Sequence, residues 1–127
     1  MDGKEQIAQW REMAQRDIAS AERNFRPGDY QWCLFLWHLA IEKMLKAILI
    51  QQDKELIKSH NLVYLAKRTG ITLSEIDETE LEVITGFNLE ARYDEYKREF
   101  YKRATASYTA EWKKTCQKWY NRLEEIL

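Results

Sequence analysis

The segment HLAIEKMLKAILI, residues 38–50, sets His38, Glu42, Lys43 and Lys46 into an otherwise apolar run. A helix turns about 100° per residue, so His38, Glu42 and Lys46 fall on one narrow stripe, each a turn from the next. An imidazole, a carboxylate and an ammonium in line can do two things. They can satisfy one another as an interior ion network that fixes helix register. Alternatively, they can form one wall of a site where a cation and a titratable ring receive an anion. His38 itself, flanked by Trp37 and Leu39, reads as a hydrogen-bonded core histidine. A second signal is KREFYKRATASY, residues 97–108, where Lys97, Arg98, Lys102 and Arg103 interleave with Phe100, Tyr101 and Tyr108. Cations bind phosphates and aromatic faces stack on bases, so this composition suits a nucleic-acid contact. It equally suits aromatics that anchor their segment to the rest of the protein.

Helices must position these residues. Apolar residues Ile7, Trp10, Ala14, Ile18 and Ala21 recur in three- and four-residue steps and predict a first helix over about 4–24. Pro27 and Gly28 break it, and Asp29 is placed to cap a second helix over about 30–52. That helix is apolar over most of its circumference, as expected of one buried in a bundle or an oligomer interface. A short third helix begins near Ser59 or Asn61 and ends at Gly70, and a fourth runs over about 78–92. Between them ITLSEIDETE reads as a connection with room for a short turn of helix. Trp112, Cys116, Trp119, Leu123 and Ile126 define a final helix, with Thr109 as its cap. Residues 94–108 have no clean period and are open to three readings: an extension of helix four, a turn of their own, or a mobile loop. The expectation is a single all-α domain, a compact up-and-down bundle of about five helices.

Composition supports this reading and excludes others. The chain has 127 residues, enough for one core. Four Gly and one Pro favour long helices over a turn-rich β fold. The net charge of -1 points to neither nucleic acid nor membrane. It hides a local division, with acids concentrated in 75–95 and bases in 97–122. Lys43 and Lys46 interrupt the longest apolar run, so no membrane span is expected. The opening MDGKEQIAQW has no apolar signal core, which predicts a cytoplasmic protein. Cys33 and Cys116 read as buried free thiols, and neither has a Cys or His at metal-ligand spacing. No metal or cofactor is expected. Five Trp and seven Tyr exceed what a small bundle must bury, and Trp10, Trp32 and Trp37 cannot easily share one interior. A homodimer is expected, through helix two or the last helix.

AIEKMLKAILI, SHNLVYLAKR and LEARYDEY, in this order, resemble the HEPN family (higher eukaryotes and prokaryotes nucleotide-binding domain). The residues that carry the likeness are Glu42, Lys43, Leu45, Lys46 and Ala47; His60 and Leu62; and Ala91, Arg92 and Tyr93. The resemblance implies a helical bundle that often dimerises and commonly works beside a small nucleotidyltransferase. Some members are toxins that cut RNA, using an Arg followed about four to six residues later by a His. Here neither His38 nor His60 has an Arg at that distance, and no His follows Arg92. Ribonuclease activity is therefore not carried across.

If helices two, three and four pack side by side, Lys46, His60 and Arg92 converge as a phosphate cradle. Tyr93 would then stack on a base, with Glu42 and Lys43 in support. The leading expectation is a non-catalytic module binding a nucleotide or other phosphate-bearing ligand, the partner of a separate nucleotidyltransferase in a toxin–antitoxin or defence setting. One alternative is a structural dimer without a small ligand. Another is a divergent ribonuclease pairing Arg92 with His60.

Overall fold

The computed structural model describes residues 2–127 as six α-helices, with no strand among them. Helix α1 spans Gly3–Phe25 and is capped by the Asp2 carboxylate, which accepts from the Glu5 N–H. The chain reverses at Gly28, whose φ of +92° is a conformation that glycine reaches without strain. Helix α2 spans Tyr30–Gln51. Asp29 occupies its N-cap position, but its side chain makes no capping bond.

Helix α3 spans Leu62–Thr69, between an Asn61 cap and a left-handed Gly70. Helix α4 spans Glu75–Arg92 and starts earlier than periodicity predicts. Ser74 and Asp77 form a reciprocal capping box there, so most of ITLSEIDETE is helix rather than connection. Residues 94–108 divide between α5, Asp94–Arg103, and the start of α6, Ala106–Ile126. The cap of α6 is Thr105, not Thr109. Thr105 has extended dihedrals and its hydroxyl accepts from the Tyr108 N–H, whereas Thr109 lies a turn inside and is fully buried. The all-helical bundle of about five helices is thus present with six, because the aperiodic segment carries a helix of its own.

Helix α2 is the axis. It packs against α1, α3, α4, α5 and α6, and Leu34, Ile41, Met44, Leu45, Ile48 and Leu49 are almost wholly removed from water. Each contributes on the order of 1.5–3 kcal/mol by burial. Such enclosure explains the helix's nearly all-round apolarity. It also leaves little of α2 free for an oligomer interface apart from its first turn, where Trp32 is exposed. Helices α1 and α6 run antiparallel on α2, bridged by Arg11–Glu124, Gln15–Tyr120 and Lys113–Glu22. Phe100 pins α5 to the bundle, stacking on Phe87 with centroids 5.7 Å apart.

Candidate functional site

The polar stripe of α2 faces the chain segment that enters α3. Glu42 stands at its centre, with only 7% of its side chain exposed. Its Oε2 accepts from Lys46 Nζ at 2.9 Å, and its Oε1 from His60 Nδ1–H at 2.7 Å. His38 Nε2–H donates to the His60 carbonyl at 3.0 Å, since a carbonyl can only accept. His38 is fully buried, and burial is the main cause that lowers its pKa from the usual imidazole value. The His60 carbonyl and the Glu42 charge oppose this shift, while His60 and Arg92 add to it. His60 differs from His38 in access: 56% of its side chain faces solvent. With Nδ1 committed to Glu42, Nε2 is the nitrogen left for a ligand.

The predicted residues therefore come together only in part. Lys46, His60 and Glu42 meet directly. The Lys46 ammonium is paired with Glu42 and almost buried, beside the Trp10 ring at 6.0 Å. Lys43 points elsewhere and ties α2 to α1 through Asp17 at 2.6 Å. Arg92 joins neither Lys46 nor Glu42. Its Nε donates to the Asn88 carbonyl of its own helix and its guanidinium lies over the Tyr93 ring at 5.4 Å. It still belongs to the same face of the protein: Thr85, two turns earlier on α4, accepts from the Leu62 N–H just beyond His60.

The acidic and basic stretches of the sequence largely neutralise each other across helices. Glu80 takes Lys118 and the Trp119 indole N–H, and Asp77 takes Arg122. The Asp77 carboxyl is held below its usual pKa by the Ser74 backbone N–H and by Arg122. Glu90 takes Arg103, whose guanidinium also lies over Phe100 and Tyr108. On α5, Lys97 and Lys102 make only loose pairs within the helix, to Asp94 at 3.4 Å and Glu99 at 3.9 Å. Among the described residues, Arg92 and Arg98 form no ion pair.

Sequence reasoning did not assemble the groove of about 460 Å3 that Arg98, but not Arg92, helps to line. The first turn of α2 supplies Gln31 and Trp32, the end of α4 supplies Glu90 and Ala91, and α5 supplies Asp94, Lys97, Arg98, Phe100 and Tyr101. Phe100 is buried, while Tyr101 is 67% exposed and Trp32 is partly so. The sequence singles out Lys97, Arg98, Phe100 and Tyr101 as a candidate nucleic-acid contact and Trp32 as a large aromatic without a ready place in the interior, but not the walls from α2 and α4 that join them. Cations beside exposed aromatic rings can hold a phosphate and stack a planar ring.

Other chemistry finds little support. Cys33 and Cys116 are free and buried, and burial pushes the Cys33 thiol up to about 12 and that of Cys116 well above its ordinary value. Neither is a reactive thiolate. Among the described residues, no cluster of His, Cys, Asp and Glu is arranged to hold a metal ion, and no helix is long and apolar enough to cross a membrane.

The family model described as HEPN domain matches residues 7–127. Among solved structures, the crystal structure of TT1696 from Thermus thermophilus superposes with a TM-score of 0.82. The two share 20% identity over 95% of this chain and 98% of that one, a likeness of fold. No curated protein sequence matches the chain.

Proposed function

The chain belongs to the HEPN domain family, and from that premise we propose a non-catalytic module that binds a nucleotide or other phosphate-bearing ligand. In this reading the ligand lies along the seam of α2, α4 and α5. Arg92 and Arg98 contact phosphate, Lys97 assists, and Trp32, Tyr93 and Tyr101 offer faces to a base. His60 closes the far end, and Lys46 acts through Glu42 rather than touching the ligand. Lys102 extends the cationic edge of α5, and Arg103 holds α5 in place.

The observation that carries the reading is the pairing pattern. Arg103, Lys118 and Arg122 are paired with carboxylates of other helices, whereas Arg98 is unpaired and lines the aromatic groove, and Arg92, also unpaired, ends the helix that supplies Glu90 and Ala91 to it. Charge-assisted contacts from a guanidinium to phosphate are strong and geometrically selective. A ligand-binding module without its own transfer chemistry fits the role of substrate-binding partner to a separate nucleotidyltransferase, in a toxin–antitoxin or defence setting. The exposed ring surface of Trp32, Tyr93, Tyr96 and Tyr101 is consistent with a homodimer or with such a partner.

Calorimetry with a panel of nucleotides tests the proposal. The wild type should bind at least one of them saturably, and Arg92→Ala should weaken that binding about tenfold or more, a loss of about 1.4 kcal/mol. An absence of heat with every nucleotide, together with an Arg92→Ala protein altered only in melting, would reject it in favour of a structural role.

One observation favours a second reading. A carboxylate-oriented imidazole is also how a general acid–base is held, so Glu42 and His60 suit the divergent ribonuclease. RNA cleavage abolished by His60→Ala would support that reading, and cleavage unchanged by the substitution would end it.

A further inference from the structure

A second cleft, of about 580 Å3, opens between α1 and α6. Its one lining residue from α2, the axis on which both of those helices pack, is Trp37, which is only 3% exposed and so lies at the base. The Trp37 indole Nε1–H is buried and has no hydrogen-bond partner among the described residues. An indole nitrogen can only donate, and a buried donor without an acceptor is costly. The His38, Thr109 and Glu124 atoms that share this condition belong to residues outside the cleft lining. Trp37 thus brings an unused donor to a concave surface.

The surroundings say what kind of acceptor suits it. Ile18, Ala19 and Phe25 of α1 and Ala110 of α6 make the walls apolar. Lys113 is committed twice, to Glu22 at 2.8 Å and over the Phe25 ring at 3.7 Å, and so braces one wall against the other. Lys114 is exposed and forms no ion pair among the described residues. With Lys113 and Lys114 set against Glu22, the lining carries one positive charge in excess. We propose that this cleft binds a small apolar carboxylate, which lays its hydrocarbon body against Ile18 and Phe25 and accepts the Trp37 Nε1–H at one oxygen. The cleft is open to solvent, so the other oxygen stays hydrated, and Lys114 attracts the anion. The volume is that of a small-molecule site. The large exposed aromatics Trp32, Tyr93, Tyr96 and Tyr101 lie outside it, so it is not part of their surface. The inference is independent of the nucleotide reading and shares no residue with the groove of α5.

The test is a titration of the full chain with cyclohexylacetate, whose saturated ring adds no ring-current shift, followed through the tryptophan indole signals in proton–nitrogen NMR spectra. The Trp37 signal is the one lost in Trp37→Phe. We expect saturable binding that moves the Trp37 indole proton downfield, as a new acceptor requires, and moves the other indoles less. Trp37→Phe keeps an apolar ring without the donor and should weaken binding about tenfold. Lys114→Gln should weaken it about twofold. Ala19→Phe, at an exposed position on the α1 wall, fills the cleft without entering the core and should abolish binding, which decides the matter even if Trp37→Phe fails to fold. Arg98→Ala should leave binding unchanged. No saturable binding, binding with an unmoved Trp37 indole, or binding that survives Ala19→Phe would overturn the inference. So would a Trp37 signal that shifts when the protein alone is diluted, since the cleft would then belong to a second copy of the chain.

Discussion

His38 stays uncharged because burial outweighs the carbonyl and carboxylate that would favour its cation. A histidine with a lowered native pKa is protonated more readily in the unfolded chain. Its contribution to stability is complete above about pH 6.5, the ordinary imidazole value, and is lost as pH falls through that value toward the lower native one. The thiols set the other limit. Their native pKa values are raised, so unfolding releases protons above the ordinary thiol value near 9.0 and stability declines from there as pH rises. Urea unfolding midpoints should therefore be highest near neutrality, falling toward pH 5.5 and again toward pH 10. His38→Gln, which keeps a donor for the His60 carbonyl, should flatten the decline between pH 7 and 5.5. An unchanged acid slope in that variant would place the dependence on other groups.

Caps decide where α6 begins, and the two threonines near its start give opposite predictions. Thr105 accepts from the Tyr108 N–H, so Thr105→Ala should cost about 1 kcal/mol. The buried Thr109 hydroxyl has no hydrogen-bond partner among the described residues. Thr109→Val preserves shape and removes that hydroxyl, so it should be neutral or stabilising by up to about 1 kcal/mol. Urea midpoints with unchanged slope measure both, and the reverse order would return the cap to Thr109. The sequence misled here for a physical reason. Both residues precede the Trp112, Cys116 and Trp119 seam, and only backbone dihedrals tell a cap from a first-turn residue. Helices with a buried stripe were legible because burial imposes a period. Helix α5 was not, because Phe100 alone is buried and one anchor makes no period. The same logic applies to the candidate site. The His38–Glu42–Lys46 line is local in sequence and visible there. The groove joins Trp32 to Tyr101, which no spacing could relate.

Because every other helix packs on α2, the molecule should unfold as one unit, with a graded periphery. The core amides of α2 from Met44 to Leu49 lie under α1, α3, α4 and α6, and they can exchange with solvent only when the whole bundle opens. Helix α5 is held by Phe100, the Arg103–Glu90 pair and loose pairs within the helix, so it can open alone at a fraction of the global free energy. Native-state hydrogen exchange should rank α2 slowest and α5 among the fastest. Phe100→Ala removes the anchor and should cost about 3–5 kcal/mol if α5 opens only with the bundle. Local opening predicts less for the global transition, with a large acceleration of exchange confined to α5 and its junctions. This graded stability has a functional consequence. The groove takes one wall from the rigid first turn of α2 and the other from the loosely held α5, so ligand bridging the two should slow α5 exchange without affecting α2. Saturating nucleotide that protects both helices equally would instead mean that α5 is not an independent unit, and that the groove is preformed.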